Sequence, residues 1–287
     1  MDFKRLFYIN ITYSCNNKCS FCISHNTRNR TKKVENPELI IKNIHKKFFF
    51  TKNDIFVING GEPTVSPKLK EILDNLMEIG CKIIVYSNGR LLYKYKEFLC
   101  HSNIYWIIPF YGLAEIHDKY TRVKGSFLET LSSLKEIKNT ENISVKFLIH
   151  EEAQIKDFFD LAEILKQTIN EIHISFILNN NFSQRYILAC KVNNLISYLQ
   201  SKFVIKLSNI PLCRLNLEIN FEKLKMNNIY KYYYIAENED VKEIDYDKNH
   251  MWNEKCINCS LRNICSDTNK RYRVFKINHN FISLEEE

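Results

Sequence analysis

Cys15, Cys19 and Cys22 stand in one short stretch, "SCNNKCSFC", from Ser14 to Cys22. Three thiols spaced C-x3-C-x2-C form a metal-binding pattern, because thiolates are strong ligands for zinc and for iron–sulfur clusters. A structural zinc site takes four protein ligands, and His25 would complete a Cys3His set. Three thiolates on a [4Fe–4S] cluster instead leave one iron open, and an open position lets a metal centre act on a small molecule. Four thiolates would saturate the cluster and confine it to electron transfer. The spacing by itself admits both the zinc site and the open cluster.

Two further groups of residues could carry chemistry. "NGGEPTVSP" (Asn59 to Pro67) offers Gly60 and Gly61, which let the backbone approach a ligand closely, and Glu62, whose carboxylate suits an ammonium group. A plain strand-to-helix turn with an exposed glutamate reads the same way. Toward the other end, Cys256, Cys259 and Cys265 form C-x2-C-x5-C, with Cys213 upstream in "IPLCRL". Four thiolates there suit a structural zinc ion. Cys81, Cys100 and Cys190 sit at a strand start, a helix end and within a helix, and read as buried apolar filler. The tyrosines of "YKYYY" (Tyr230 to Tyr234) read as hairpin packing rather than as the lining of a substrate channel.

The chain that must position these groups has 287 residues, enough for one large core with or without a small appendage. No run approaches the roughly 18 apolar residues of a membrane span. The N-terminus lacks the zones of a signal peptide, so a cytoplasmic location is expected. Ten cysteines in that compartment read as ligands or catalytic thiols rather than disulfides. Lys and Arg give a net charge of +8 but are spread along the chain, which argues for a solvated surface and against a nucleic-acid stripe.

From Phe3 to Leu207 apolar runs alternate with helix-period segments. "LFYINITY" leads into the cysteine loop, and a helix capped by Asn36 follows. "DIFVIN" leads into Gly60–Gly61, then come a helix capped by Ser66 and ended by Gly80, "CKIIVYSNG" as a strand, and a helix from Leu91 to Cys100. "IYWIIPFYG", a helix from Ser126, "ISVKFLIH", "IKDFFDLAEILKQT", "EIHISFIL", "SQRYILACKVNNLISYLQ" and "FVIKL" continue the alternation. Strands separated by helices predict parallel βαβ units with functional loops at the C-terminal strand ends. About six units point to an α/β fold of the partial (β/α)6 TIM-barrel type. The alternation stops near Ser208, which predicts a barrel over 1–207 and a small metal-dependent domain over 208–287, with a hairpin within "NNIYKYYYIAENEDVKEID".

The cysteine loop and the GGE segment together resemble the radical SAM superfamily, which has both motifs in this order across the barrel. The resemblance implies that Cys15, Cys19 and Cys22 hold a [4Fe–4S] cluster whose open iron is chelated by S-adenosyl-L-methionine (SAM). It further implies that Gly60, Gly61 and Glu62 receive the methionine ammonium, with Pro63 shaping the turn. Phe21 would contact adenine, and Ser87 and Asn88 would contact the cofactor from the end of a strand. "YGLAEIHDKYTRVKGSF" (Tyr111 to Phe127) is similar to a segment of peptide-maturing members, which makes Arg122 a candidate for the SAM carboxylate and Ser126 a helix cap. The C-terminal cysteines resemble part of the SPASM pattern. The full pattern would place another cysteine where this chain has Asn269, so the single-cluster twitch version, with an auxiliary [4Fe–4S] cluster, is implied. Cys213 would be its fourth ligand or, alternatively, a free thiol that donates a hydrogen atom to a product radical.

The activity implied is reductive cleavage of SAM to a 5′-deoxyadenosyl radical that abstracts hydrogen from a ribosomally made peptide, leading to a C–C or thioether crosslink or to epimerisation. An external electron donor of the flavodoxin or ferredoxin type is implied as well. No peptide-recognition domain is expected ahead of the first strand, so leader recognition falls to the chain itself or to a separate protein. Small-molecule cofactor biosynthesis, sulfatase-maturase-like chemistry and RNA modification are the alternative reactions. A non-catalytic iron–sulfur or zinc module is the alternative of another class.

Overall fold

The computed structural model describes residues 5–22, 39, 42, 49–137, 141–177, 182–216, 218–219, 231–235, 242–244, 256, 258–259, 265, 275–278 and 281–284. Most of the helix expected from Asn36, and His25, lie outside these residues. The chain divides into two compact units, neither continuous in sequence: Met1–Pro109, Asp118–Ile143 and Asn228–Ile244, and Phe110–His117, Ser144–Asn227 and Asp245–Glu287. Among the described residues no helix is long and apolar enough to cross a membrane.

In the first unit β1 (Arg5–Asn10), β2 (Ile55–Asn59), β3 (Lys82–Tyr86) and β4 (Ile104–Phe110) pair in parallel and in sequence order. Their β-branched and aromatic residues bury Phe7, Phe56, Ile58, Ile83 and Trp106 almost completely. The connection α1 (Leu69–Ile79) buries Leu69, Ile72, Leu73 and Leu76, an i, i+3, i+4, i+7 stripe, and ends on Gly80 in the left-handed region as expected. Its start differs from expectation. Lys68 occupies the N-cap position, and Ser66 accepts the Lys68 N–H at 3.3 Å from one turn outside the helix. A short helix, α2 (Lys96–Leu99), precedes β4. Helix α3 (Ala114–Thr121) follows β4, and α4 (Ser126–Lys135) comes next.

The second unit continues the alternation with β5 (Ile143–Ile149), α5 (Ala153–Leu165) and β6 (Glu171–Phe176). Helices α6 (Phe182–Lys191) and α7 (Asn193–Leu199) and strand β7 (Val204–Ser208) complete it. The single helix expected before β7 is broken at Val192. β5, β6 and β7 are parallel. One sheet face is apolar, where Phe147 stacks on Phe158 of α5 at 4.3 Å. The other is polar, with Lys146, His173 and Lys206 in one register row. Burial and the two lysines hold His173 well below its ordinary pKa, so the ring is neutral and bonds Ser208 at 2.7 Å.

Residues after Ser208 add strands to both units. β8 (Glu218–Ile219), β11 (Phe275–Asn278) and β12 (Phe281–Leu284) join the second, with β11 antiparallel to β7. β9 (Lys231–Ile235) and β10 (Lys242–Ile244) form the expected hairpin in the first unit. Sequence reading missed that β9 runs parallel along β1, setting Tyr232, Tyr233 and Tyr234 against Leu6, Phe7 and Tyr8.

At the N-terminal ends of β1 and β2, Arg5 donates to both oxygens of buried Asp54, at 2.8 and 2.6 Å. This bidentate pair fixes the register of the two strands that lead into the site. Asp54→Ala leaves the guanidinium without its partner and should lower stability by about 2 kcal/mol, read from the urea midpoint of the metal-free protein.

Candidate active site at the strand ends

The β1–β2 ladder does not stop where the strands stop. Ile11 N–H donates to Asn59 O at 3.2 Å, Gly61 N–H to Thr12 O at 2.6 Å and Glu62 N–H to Ser14 O at 2.8 Å. The cysteine loop and the GGE segment are therefore hydrogen-bonded backbone to backbone. A Cβ at Gly60, whose φ is +126°, would lie 2.3 Å from Thr12 O, and one at Gly61 would lie 2.1 Å from Ser14 O. The expectation was that these glycines admit a ligand. What they admit here is the loop that carries Cys15, Cys19 and Cys22.

Glu62 is almost completely buried. Its Oε1 accepts from Thr64 N–H at 3.0 Å, Thr64 Oγ1 at 2.5 Å and Ser87 Oγ at 2.7 Å, and its Oε2 accepts from Asn88 N–H at 2.6 Å. Pro63 is the first residue of the short 3-10 turn Pro63–Val65 that sets the Thr64 donors. Burial pushes the Glu62 pKa above the ordinary range despite these four donors. Oε1 accepts three of these donors and Oε2 one, so Oε2 is the oxygen with capacity for a further donor. The exposed glutamate of a plain turn is excluded.

A second brace comes from the end of β3. Asn88 Nδ2 donates to Asn16 Oδ1 at 2.6 Å. Arg90 donates from Nη1 to Asn16 O at 2.5 Å and Asn17 Oδ1 at 3.0 Å, and from Nε to Glu129 at 2.7 Å. Sequence reading stopped at Ser87 and Asn88 and missed Arg90, although its charge in a loop at a strand end was the available signal. The third brace is the end of α3, where Lys18 N–H donates to Thr121 O at 2.9 Å and Ser20 N–H to Tyr120 O at 3.1 Å. Phe21 packs on Tyr120 with ring centroids 5.6 Å apart.

Arg122 is exposed and left-handed, with φ +56°. Ser126 is not the cap of α4. Gly125 holds that position, and Asp118 accepts from Gly125 N–H, Ser126 Oγ and Phe127 N–H at 2.5, 2.8 and 2.9 Å. A carboxylate one helix earlier does this work, which a local reading of the N-cap could not find.

In the second unit Cys213 is exposed on a 3-10 turn, Leu212–Arg214. Its thiol pKa is raised, first by burial of part of the group and then by the charges of Cys259 and Cys256. Cys259 N–H donates to Cys256 O at 3.2 Å, and Cys265 Sγ reaches Ile210 O at 3.9 Å. The Cys213 turn is anchored by Asn193, which bonds Arg214 O and Asn216 N–H, and by the Arg214 guanidinium 3.8 Å above the Tyr186 ring. None of the ten cysteines is in a disulfide. Cys81 is buried, as expected, and burial next to Asp54 pushes its pKa up to about 11. Cys100 and Cys190 are exposed, because one follows the last turn of α2 and the other sits on an outer position of α6. Among the described residues no three His, Cys, Asp or Glu side chains are gathered about a single-ion site.

The sequence model of the radical SAM superfamily matches residues 9–163, more than half of the chain. The chain belongs to the radical SAM superfamily. Membership implies a [4Fe–4S] cluster and SAM, and the donor set fits them: three thiols outside any disulfide on a braced loop, one short of saturating a cluster. The subtilosin biosynthesis protein AlbA of Bacillus subtilis is 29% identical over 136 residues, 44% of this chain and 28% of that protein. The match thus spans little more than a quarter of this curated relative. Streptococcus suis SuiB bound to SAM superposes with a TM-score of 0.64 at 15% identity, covering 92% of this chain and 72% of SuiB. The enzyme anSMEcpe with SAM and the Cp18Cys peptide gives 0.63 at 13% identity, covering 92% and 88%. These two likenesses bear out the α/β fold.

The close approach at Gly61 is testable directly. Gly61→Ala should push the cysteine loop off its ladder, lower stability by about 2 kcal/mol and reduce iron uptake on reconstitution. Gly80→Ala, whose Cβ meets nothing within 4 Å, pays only for its φ of +78°. It should cost about 1 kcal/mol and leave iron content unchanged.

Proposed function

We propose that this chain is a radical SAM peptide maturase with an auxiliary cluster. The observation that carries the reading is the hydrogen-bonded union of the three-cysteine loop with the GGE segment, since a passive metal module has no use for a loop one thiolate short beside a buried carboxylate. Cys15, Cys19 and Cys22 would hold the cluster. Gly60, Gly61 and Glu62 would receive the SAM ammonium, through backbone carbonyls and the remaining position on Oε2. Phe21 would meet adenine and Arg122 the SAM carboxylate, while Ser87, Asn88 and Pro63 hold Glu62 and the cysteine loop in place. Cluster and SAM together supply the chemistry, a one-electron cleavage that yields the 5′-deoxyadenosyl radical, and the protein supplies position and exclusion of water.

The peptide substrate rests on relatives: AlbA is a bacteriocin biosynthesis protein, and SuiB has been solved with its precursor peptide SuiA, at a TM-score of 0.58 and 13% identity to this chain. Residues 208–287 would carry the auxiliary [4Fe–4S] cluster on Cys256, Cys259, Cys265 and Cys213. A proline-flanked loop cysteine upstream of C-x2-C-x5-C is most simply a metal clip, which favours the ligand role over the hydrogen donor. An external one-electron donor and, for the leader, either this chain or a separate protein complete the system.

Anaerobic reconstitution should give about eight iron per chain, and replacing Cys15, Cys19 and Cys22 together by Ala should remove about half. Cys213→Ala should alter the spectrum of the remaining cluster while SAM cleavage persists. Zinc in place of the second four irons would make the C-terminal site structural, and an unaltered spectrum would return Cys213 to the hydrogen-donor role.

Glu62 supplies a pH test. The ammonium binds the ionised carboxylate, and burial holds the Glu62 pKa above the ordinary glutamate range. Lowering the pH through that raised value protonates Glu62, so SAM binding must expel a proton and weakens. SAM affinity by equilibrium dialysis should therefore fall with pH in this window. Glu62→Gln should bind about tenfold less tightly at neutral pH, with a flatter profile.

A further inference from the structure

We propose that the cationic surface of Lys18, Lys119 and Lys124 is the dock for the small acidic protein that delivers the electron. The inference rests on the radical SAM reading above, because only a cluster on the cysteine loop needs an electron there. Reductive cleavage consumes one electron per event. The carrier is oxidised by one electron and the cluster reduced by one, and no bond forms or breaks at the dock. Such transfer falls off steeply with distance, so the carrier must land against the loop that holds the cluster.

The loop meets the end of α3 through the Lys18–Thr121 and Ser20–Tyr120 backbone bonds. That contact gathers Lys18, Lys119, Arg122 and Lys124, all exposed, around the loop. No described carboxylate forms a salt bridge with any of them; Asp118 caps α4, and Glu129 holds Arg90 at 2.7 Å. Glu115, one turn earlier on α3, leaves the surface with surplus positive charge. Redox encounters are small and transient and depend on steering by opposite charge, so an acidic carrier fits this surface. Arg122 is left out of the test because the SAM carboxylate is assigned to it.

The experiment mixes the reconstituted holoenzyme with reduced flavodoxin, an acidic carrier, and follows bleaching of the cluster by stopped flow at low and high salt. Wild-type reduction should slow as salt rises. Lys119→Glu with Lys124→Glu should slow it about tenfold at low salt and flatten the salt dependence. The same charge change at Lys52 and Lys82, on the opposite strand ends, should have no effect. Dithionite, which needs no dock, should bleach the cluster and release 5′-deoxyadenosine equally in all variants. Carbodiimide should cross-link flavodoxin to Lys119, Lys124 or Lys18 of the wild type. An unchanged flavodoxin rate in the double variant overturns the proposal. So does a loss of affinity for an acidic peptide or for RNA with carrier kinetics intact, which would give the surface to that partner. Failure of dithionite to reduce wild type would instead sink the cluster assignment, and the dock with it.

Discussion

Hydrogen bonding between two parallel strands ordinarily ends with the strands, and here it continues into the loops beyond them. Thr12 O and Ser14 O are taken by the N–H groups of Gly61 and Glu62, and everything else at the site depends on that continuation. It requires two residues without side chains at 60 and 61, since any Cβ would sit about 2 Å from a carbonyl oxygen. It carries Glu62 inward, away from water. It also fixes where Cys15 leaves β1, so the position of the first thiol is set by a ladder that starts at the Arg5–Asp54 pair on the far end of the same strands.

Glu62 shows the cost of this arrangement. Four donors surround the carboxylate, yet burial still outweighs them and the charge remains disfavoured. A structural carboxylate sharing its donors evenly between the two oxygens would hold its charge more readily. This one loads three donors onto Oε1 and one onto Oε2. The asymmetry leaves a local deficit of positive charge that a cationic ligand would relieve. The group is thus better matched to a bound ammonium than to the protein alone.

Much of this could be read from the sequence because the signals are local. The alternation through β7, the Gly80 helix stop and the three-thiol spacing each occupy one window of residues, and each was found. What was not legible depends on residues far apart in the chain. Arg90 reaches Asn16 across 74 positions, β9 lies along β1, and Asp118 caps a helix that begins eight residues later. The exposure of Cys100 and Cys190 was missed for a related reason. Cysteine type favours burial, but which side of a helix faces water is decided by what packs on the other side.

The two thiol sets solve different problems with similar means. The N-terminal loop is held at three places along eight residues, by β2, by β3 and by α3, before any metal arrives. Holding the backbone in advance lowers the entropy lost when the thiolates close on a cluster, and it keeps the open position from wandering toward a fourth protein ligand. The C-terminal set is spread over three separate stretches of chain. Asn193 and the Arg214–Tyr186 stack fix the Cys213 turn, and Cys265 touches Ile210 at its base. If these four thiols hold the proposed auxiliary cluster, three of them come from far later in the chain than Cys213, and metal binding there would itself be folding free energy. The first loop should therefore keep its shape without iron, whereas the second set, on the proposed reading, would take its shape from the metal.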